Sequence, residues 1–181
     1  KVGIEADEMT VSTYLRIKDF FGPEVVPTQG LIEKIREIKD ADELATMKKA
    51  CEITDQAFSH ILTFIKPGVT EIEVANELER YLKTLGASAM SFDTIVASGL
   101  RSAMPHGVAS DKVIEEGDVV TLDFGCYYQG YSSDMTRTIA VGSIDPKLEE
   151  IYHIVLEAHN LVNQKAKAGM TGAELDAIAR D

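Results

Sequence analysis

The sequence predicts an α+β fold in which amphipathic helices pack beside an antiparallel sheet. Residues 40–65 carry apolar side chains at helical spacing, and this pattern stops at Lys66-Pro67-Gly68. Residues 119–124 and 131–141 are instead strand-like, and a short turn-like stretch that ends at Gly130 joins them. Segments of both kinds in one chain of 181 residues indicate a mixed fold of one or two domains.

The N-terminal segment predicts a strand at Val2–Glu5, a helix from about Thr10 to Phe21, and a short extended run before Pro27. Such a β-α-β unit is too small to bury a core of its own. We therefore assign residues 1–30 to the end of one domain and residues 31–181 to a second domain.

Two further helices are indicated by their first residues. Thr70 and Glu73 form a capping box, and Asp145-Pro146 supplies an N-cap followed by proline at the first helical position. A strand is predicted between these helices at Phe92–Ala97. The buried side of the last helix is predicted to consist of Ile151, Ile154, Val155, Ala158, Leu161 and Val162.

An internal repeat relates the two parts of the second domain. Residues 66–74 and 167–175 share lysine, glycine, threonine and glutamate at matching positions, and each copy follows an amphipathic helix. The repeat predicts one α/β half and the opening of a second. Since the sequence stops at Asp181, about two turns into a helix, we expect a partial chain.

Composition excludes several classes of function. A formal net charge of -12 argues against binding to nucleic acid or to an anionic membrane, since phosphate binding requires clustered lysine and arginine. No run approaches the ~18 apolar residues of a membrane span. The two cysteines, Cys51 and Cys126, indicate free thiols in a reducing compartment. We expect a soluble cytoplasmic protein.

Asp123 and Asp134 are the first candidates for a functional site. A hairpin centred on Tyr128 and Gln129 places the two aspartates directly opposite each other, with Cβ atoms ~4.5–5.5 Å apart. Carboxylates this close repel each other unless a cation lies between them, so a divalent metal is the natural occupant. The alternative is that one or both aspartates lie at a solvent-facing strand position or near a turn, where aspartate is common.

Three segments together point to a family. Ile95–Ser110, Gly117–Gly125 and Gly130–Thr138 closely resemble the pita-bread metallopeptidases, specifically Xaa-Pro dipeptidases and Xaa-Pro aminopeptidases. The resemblance implies a pita-bread (creatinase/aminopeptidase) fold with two pseudo-symmetric α+β halves, of which this chain holds the first and the start of the second. Residues 1–30 resemble the end of the creatinase-like domain that precedes the catalytic domain in such enzymes.

The resemblance also implies roles for single residues. Asp123 would bind one metal ion and Asp134 would bridge two, usually manganese or cobalt, while His106 would contact the substrate and help to stabilise the tetrahedral intermediate. Thr136 could hydrogen-bond a ligand carboxylate, or it could be a plain strand threonine. The remaining family ligands, one histidine and two glutamates, belong to the second half. We therefore expect two divalent ions in a complete site and no activity from this chain by itself.

The implied function is metal-dependent removal of the residue before a proline, acting on Xaa-Pro dipeptides or peptide N-termini. A homodimer is expected. Three alternatives stay open: creatinase-like hydrolysis without a metal, methionine aminopeptidase-like activity, and a non-catalytic interaction module. The presence of Asp123 and Asp134 argues against the first. Together with His106 they argue against the last for the parent protein, and for the fragment itself the interaction module stays open.

Overall fold

A computed structural model describes all residues from 1 to 181. The chain forms two compact units, Lys1–Leu44 and Ala45–Asp181.

The first unit contains the predicted β-α-β arrangement. Strands β1 (Val2–Glu5) and β2 (Val25–Thr28) pair in parallel, and helix α1 (Val11–Phe21) connects them. Helix α2 (Leu31–Glu37) follows and was not predicted from the sequence. Only Ile4 and Val25 are buried in this unit, which agrees with the expectation that it is too small to form its own core.

The rest of the chain runs as two helices, six strands and two further helices. The helices are α3 (Ala41–Ile61), α4 (Glu71–Thr84), α5 (Pro146–Lys165) and α6 (Gly172–Arg180). The strands are β3 (Ala89–Met90), β4 (Ile95–Ser98), β5 (Val119–Phe124), β6 (Cys126–Tyr128), β7 (Tyr131–Ser132) and β8 (Met135–Ala140). A 3₁₀ turn, Gly99–Ala103, follows β4.

An antiparallel sheet with the strand order β4-β5-β8 forms the centre of the second unit. Alternate residues of β5, namely Val120, Leu122 and Phe124, are fully buried. They join a hydrophobic core with residues of α3 and α4, including Ile53 and Leu78. The other face of β5, which carries Asp123, is only partly buried, so the two helices cover one side of the sheet.

The repeat predicted from the sequence has a structural counterpart. Thr70 and Glu73 form a complete capping box at the start of α4, and Thr171 and Glu174 form an equivalent box at the start of α6. The N-cap predicted at Asp145 is also present, since its carboxylate accepts a hydrogen bond from the amide of Lys147.

Two helix predictions need correction. Helix α3 ends at Ile61 rather than near Ile65, because the chain turns before it reaches Lys66. The predicted buried side of α5 is not buried: Ile154 and Val155 are 60% and 63% exposed. An apolar stripe is buried only where a second layer meets it, and the main packing partner of α5 within this chain is the short helix α6. None of the helices is both long enough and apolar enough to span a membrane.

Candidate metal centre

The hairpin that carries the two aspartates has a different register from the one predicted. Its turn is formed by Gln129 and Gly130, which both have positive φ angles, 48° and 86°. Asp123 therefore lies opposite Thr136, and the predicted direct opposition of Asp123 and Asp134 is wrong. A two-residue hairpin turn of this kind needs φ above zero at both central positions, which a glycine satisfies without strain.

The strand ladder is interrupted immediately before Asp134. There the Ser133 amide donates to the Cys126 carbonyl at 2.9 Å, and the Ser133 hydroxyl accepts from the Cys126 amide at 3.1 Å. The buried hydroxyl of Thr54 on α3 lies 2.5 Å from the Ser133 hydroxyl. Gly125 allows this close approach, because a Cβ at that position would overlap the Ser133 carbonyl oxygen. The backbone that leads into Asp134 is thus fixed from both sides.

The two carboxylates nevertheless meet. Asp134 lies two residues before Thr136, so strand alternation places it on the face of Asp123 as a diagonal neighbour. Partial desolvation raises the pKa of Asp134, and the charge of Asp123 and a hydrogen bond from the protonated Asp134 to Asp123 raise it further. The Thr136 hydroxyl donates a hydrogen bond to Asp123 Oδ1 at 2.9 Å.

His106 lies on the exposed loop between β4 and β5. Two consecutive tight turns shape this loop, since the Gly107 amide donates to the Met104 carbonyl and the Val108 amide donates to the His106 carbonyl. Val108 then bridges to Ile95, which itself lies opposite Asp123. Val108 and Asp123 therefore share one row across the sheet, two strand spacings or roughly 10 Å apart. His106 is two residues from that row.

A buried carboxylate that the sequence analysis missed holds the same loop. Glu71, the first residue of α4, is completely buried and accepts hydrogen bonds from Ser98, Arg101 and Ser110. Burial alone would raise the pKa of Glu71, but the hydrogen bonds from these partners more than offset burial and lower it. A glutamate at a helix N-terminus is ordinary in a sequence. The sequence signal that could have singled out Glu71 was the internal repeat, since its second copy has Gly172 rather than a glutamate at the equivalent position.

The potential metal ligands of the chain do not form a larger cluster. No group of three or more histidine, cysteine, aspartate or glutamate side chains is arranged to hold a metal ion. Asp123 and Asp134 are therefore a pair of carboxylates with no third potential ligand grouped with them.

The chain matches the family model described as metallopeptidase family M24 over residues 45–181. It belongs to this family. Among solved structures, an Xaa-Pro dipeptidase from Bacillus anthracis superposes with a TM-score of 0.95 at 58% identity, covering 100% of this chain and 51% of that one. An X-Pro aminopeptidase from Thermotoga maritima superposes with a TM-score of 0.93 at 41% identity, covering 98% of this chain and 51% of that one. An Xaa-Pro dipeptidase of Pyrococcus furiosus is 52% identical over 151 residues, which are 83% of this chain and 43% of that protein.

These similarities confirm the predicted α+β pita-bread fold of the M24 metallopeptidases. The chain spans about half the length of the relatives it matches.

The family implies divalent metal ions, and the residues present in this M24 chain fit them. Carboxylate oxygens suit hard divalent cations. Asp123 and Asp134 are close enough for one to raise the pKa of the other, and a cation between them would remove that repulsion. Thr136 already orients one of the two donors.

Proposed function

We propose that this chain supplies Asp123, Asp134 and His106 to the active site of a longer metal-dependent exopeptidase. The enzyme would cleave the Xaa-Pro bond of dipeptides or of peptide N-termini. The observation that carries the proposal is the contact between Asp123 and Asp134 on the open face of the sheet in a chain of metallopeptidase family M24. The similar proteins are an Xaa-Pro dipeptidase and an X-Pro aminopeptidase, which supports the proposed substrate class.

In this proposal Asp123 would hold one divalent ion and Asp134 would be shared by two, with manganese or cobalt as the metal. Such ions, when bound, supply an activated water as the nucleophile. The protein's own part is to fix the donors. Thr136 holds Asp123 in one orientation through its hydroxyl, and the rigid backbone at Ser133 aims Asp134 at the same point.

His106 is proposed to act on the substrate rather than on the metal. An imidazole N–H at the edge of the sheet can donate a hydrogen bond to the negative charge that develops on the carbonyl oxygen of the cleaved bond. The position of its loop beside β4, in line with Asp123, supports this role.

The direct test is proline release by the longer protein in the presence of manganese. We expect hydrolysis of an Xaa-Pro dipeptide, much slower hydrolysis of the matching Xaa-Ala dipeptide, and loss of activity in Asp134→Asn. Equal rates on both dipeptides would contradict the substrate class. Activity that survives both a chelator and Asp134→Asn would contradict the metal mechanism. Comparing the dipeptide with a longer Xaa-Pro peptide then separates dipeptidase from aminopeptidase.

The 181-residue chain by itself is expected to show no turnover of an Xaa-Pro dipeptide with added manganese. The reason is that two carboxylates cannot enclose a pair of metal ions, and no further ligand cluster is present. Turnover that rises in proportion to the concentration of the chain and disappears in Asp134→Ala would contradict this expectation.

A further inference from the structure

The carboxylate of Glu71 does not serve its own helix. Glu73 completes the capping box of α4 with Thr70. The amides of the first two helical residues donate to backbone carbonyls of the neighbouring loop, so the N-terminus of the helix is satisfied without the Glu71 carboxylate. Glu71 is nevertheless fully buried, which is costly for a charged group unless every lone pair is used.

Five hydrogen bonds use those lone pairs, and all of them come from the segment 98–110. Glu71 Oε1 accepts from the Ser98 amide at 2.7 Å and from the Ser98 hydroxyl at 2.9 Å. Glu71 Oε2 accepts from Arg101 Nε at 3.0 Å, from the Ser110 amide at 3.1 Å and from the Ser110 hydroxyl at 2.7 Å. One carboxylate therefore clamps both ends of the segment that carries His106.

Arg101 extends the clamp to the middle of the segment. Its Nη2 donates to the Val108 carbonyl at 2.7 Å while its Nε donates to Glu71. A planar guanidinium can make both bonds at once, whereas the ammonium group of lysine is a compact point charge on a flexible stem. Val108 is two residues from His106 and bridges to Ile95.

The internal repeat indicates that the hydrogen bonds of Glu71 are not a general requirement of this helix start. Thr70 and Glu73 have their counterparts in Thr171 and Glu174, and both capping boxes are formed. At the position of Glu71 the second copy has Gly172, so the helix start does not require a glutamate there. The glutamate occurs in the copy that is packed against the His106 loop.

We propose that Glu71 is a positioning residue that, through Ser98, Arg101 and Ser110, holds the 98–110 loop on the edge of β4 and so keeps His106 beside the aspartate pair. The consequence for catalysis rests on the function proposed above. The clamp on the loop is a property of this chain and can be tested without any enzymatic activity.

The test compares Glu71→Gln with Glu73→Gln in the 181-residue chain. Both variants remove one negative charge from the first turn of α4 at nearly constant volume, but only Glu71 contacts the loop. In Glu71→Gln the side-chain amide would also place an N–H₂ group where the loop donors now find a carboxylate oxygen, so some of these donors would lose their acceptor. The measurements are amide hydrogen exchange across the chain and the imidazole NMR signals of the four histidines.

In Glu71→Gln we expect exchange at residues 99–110 to become about tenfold faster or more, with β5 unchanged. The NMR signal of His106 should shift or broaden while those of His153 and His159 stay in place. Glu73→Gln should leave the loop and His106 unaffected. Unchanged exchange at 99–110 in Glu71→Gln would overturn the proposal, and so would an equal effect of Glu73→Gln on the loop.

Arg101→Lys keeps the proposal falsifiable if Glu71→Gln fails to fold. It retains the positive charge but loses the simultaneous contact with Val108, so it should loosen the middle of the loop while the protein stays folded. No change in exchange near Val108 in this variant would also overturn the proposal. In the longer enzyme, Glu71→Gln should lower kcat with metal content unchanged. If Glu71→Gln loosens the loop but kcat is unchanged, Glu71 does hold the loop, and the catalytic role proposed for His106 is contradicted.

Discussion

Gly125 and Ser133 decide where Asp134 lies, although neither carries any of the proposed chemistry. The Ser133 carbonyl approaches Gly125 so closely that no side chain fits there, and the Ser133 hydroxyl bonds to the Cys126 amide in the interrupted ladder. Thr54 contacts the same hydroxyl from α3. The position of a carboxylate on the surface is thus determined by packing in the interior.

Gly125→Ala is therefore expected to destabilise the chain by about 2 kcal/mol or more, since the new methyl group would overlap the Ser133 backbone as well as the Ser91 hydroxyl. Urea denaturation measures the change. Gly172→Ala is the matched control, because a Cβ at Gly172 would meet nothing within 4 Å. A loss of stability in Gly125→Ala no greater than in the control would contradict the close approach.

The sequence singled out Asp123 and Asp134 as candidates, but it did not predict how the two residues are arranged. Turn chemistry at Gly130 could have placed the hairpin centre correctly, since that residue supplies the required positive φ. The interruption at Ser133 could not be foreseen, because it depends on contacts with Cys126 and with Thr54, which is distant in sequence. The hydrogen bonds of Glu71 were not predicted for a similar reason: its partners are 27 to 39 residues away in the sequence.

At the scale of elements, helices α3 and α4 are joined by a surface cluster as well as by the core. His60 at the end of α3 lies 2.5 Å from Glu77 of α4, and Arg80 donates to the same carboxylate. The ring of His60 stacks on Tyr81 with centroids 3.8 Å apart. Hydrogen bonds from Arg80 and then from His60 lower the pKa of Glu77 to about 2.

This cluster predicts a defined dependence of stability on pH. The pKa of Glu77 is lower in the folded chain than the ordinary value of 4.5, so its contribution is fully present above 4.5 and is lost as the pH falls towards about 2. Near neutral pH we expect the wild type to have a slightly higher melting temperature than Glu77→Gln. The difference should be small because water screens the exposed Arg80. The difference in melting temperature between the wild type and Glu77→Gln should become smaller as the pH falls from 4.5 towards about 2.

Glu79→Gln, on the same helix, is the matched control, since Glu79 forms no ion pair. It should show no narrowing of this kind. A melting difference for Glu77→Gln that stays constant down to about pH 2 would contradict the assignment.

The sequence predicted where the helices start better than it predicted which of their sides are buried. The caps at Thr70, Asp145 and Thr171 appear where their side chains predicted them, because a cap is a contact between residues two or three positions apart. The buried side of α5 was wrong because burial depends on what lies opposite, which an apolar stripe does not specify.

For the whole molecule, the uncovered side of α5 has the largest consequence. Ile151, Ile154 and Val155 are 47%, 60% and 63% exposed and lie on one helix. Exposed apolar surface of this kind drives association. We therefore expect the 181-residue chain to form dimers or larger species as its concentration rises.

Sedimentation velocity over a range of concentrations tests this expectation. Ile154→Lys should shift the chain towards the monomer, because a charge on the exposed apolar side disfavours its burial. Gln164→Lys adds the same charge at an exposed polar position of the same helix and should not change association. A wild type that stays monomeric at high concentration, or equal effects of the two variants, would contradict the role of α5.

Asp123 and Asp134 are proposed to hold the metal while His106 contacts the substrate, and metal analysis of the longer protein distinguishes these two roles. Asp134→Asn should lose bound metal, because its carboxylate is proposed to be shared by both ions and the amide cannot neutralise them. His106→Ala should keep about two ions per chain while turnover falls by about 10²–10³, the typical cost of one lost transition-state donor. If His106→Ala instead loses metal as readily as Asp134→Asn, the histidine is a ligand and the assignment of roles is wrong.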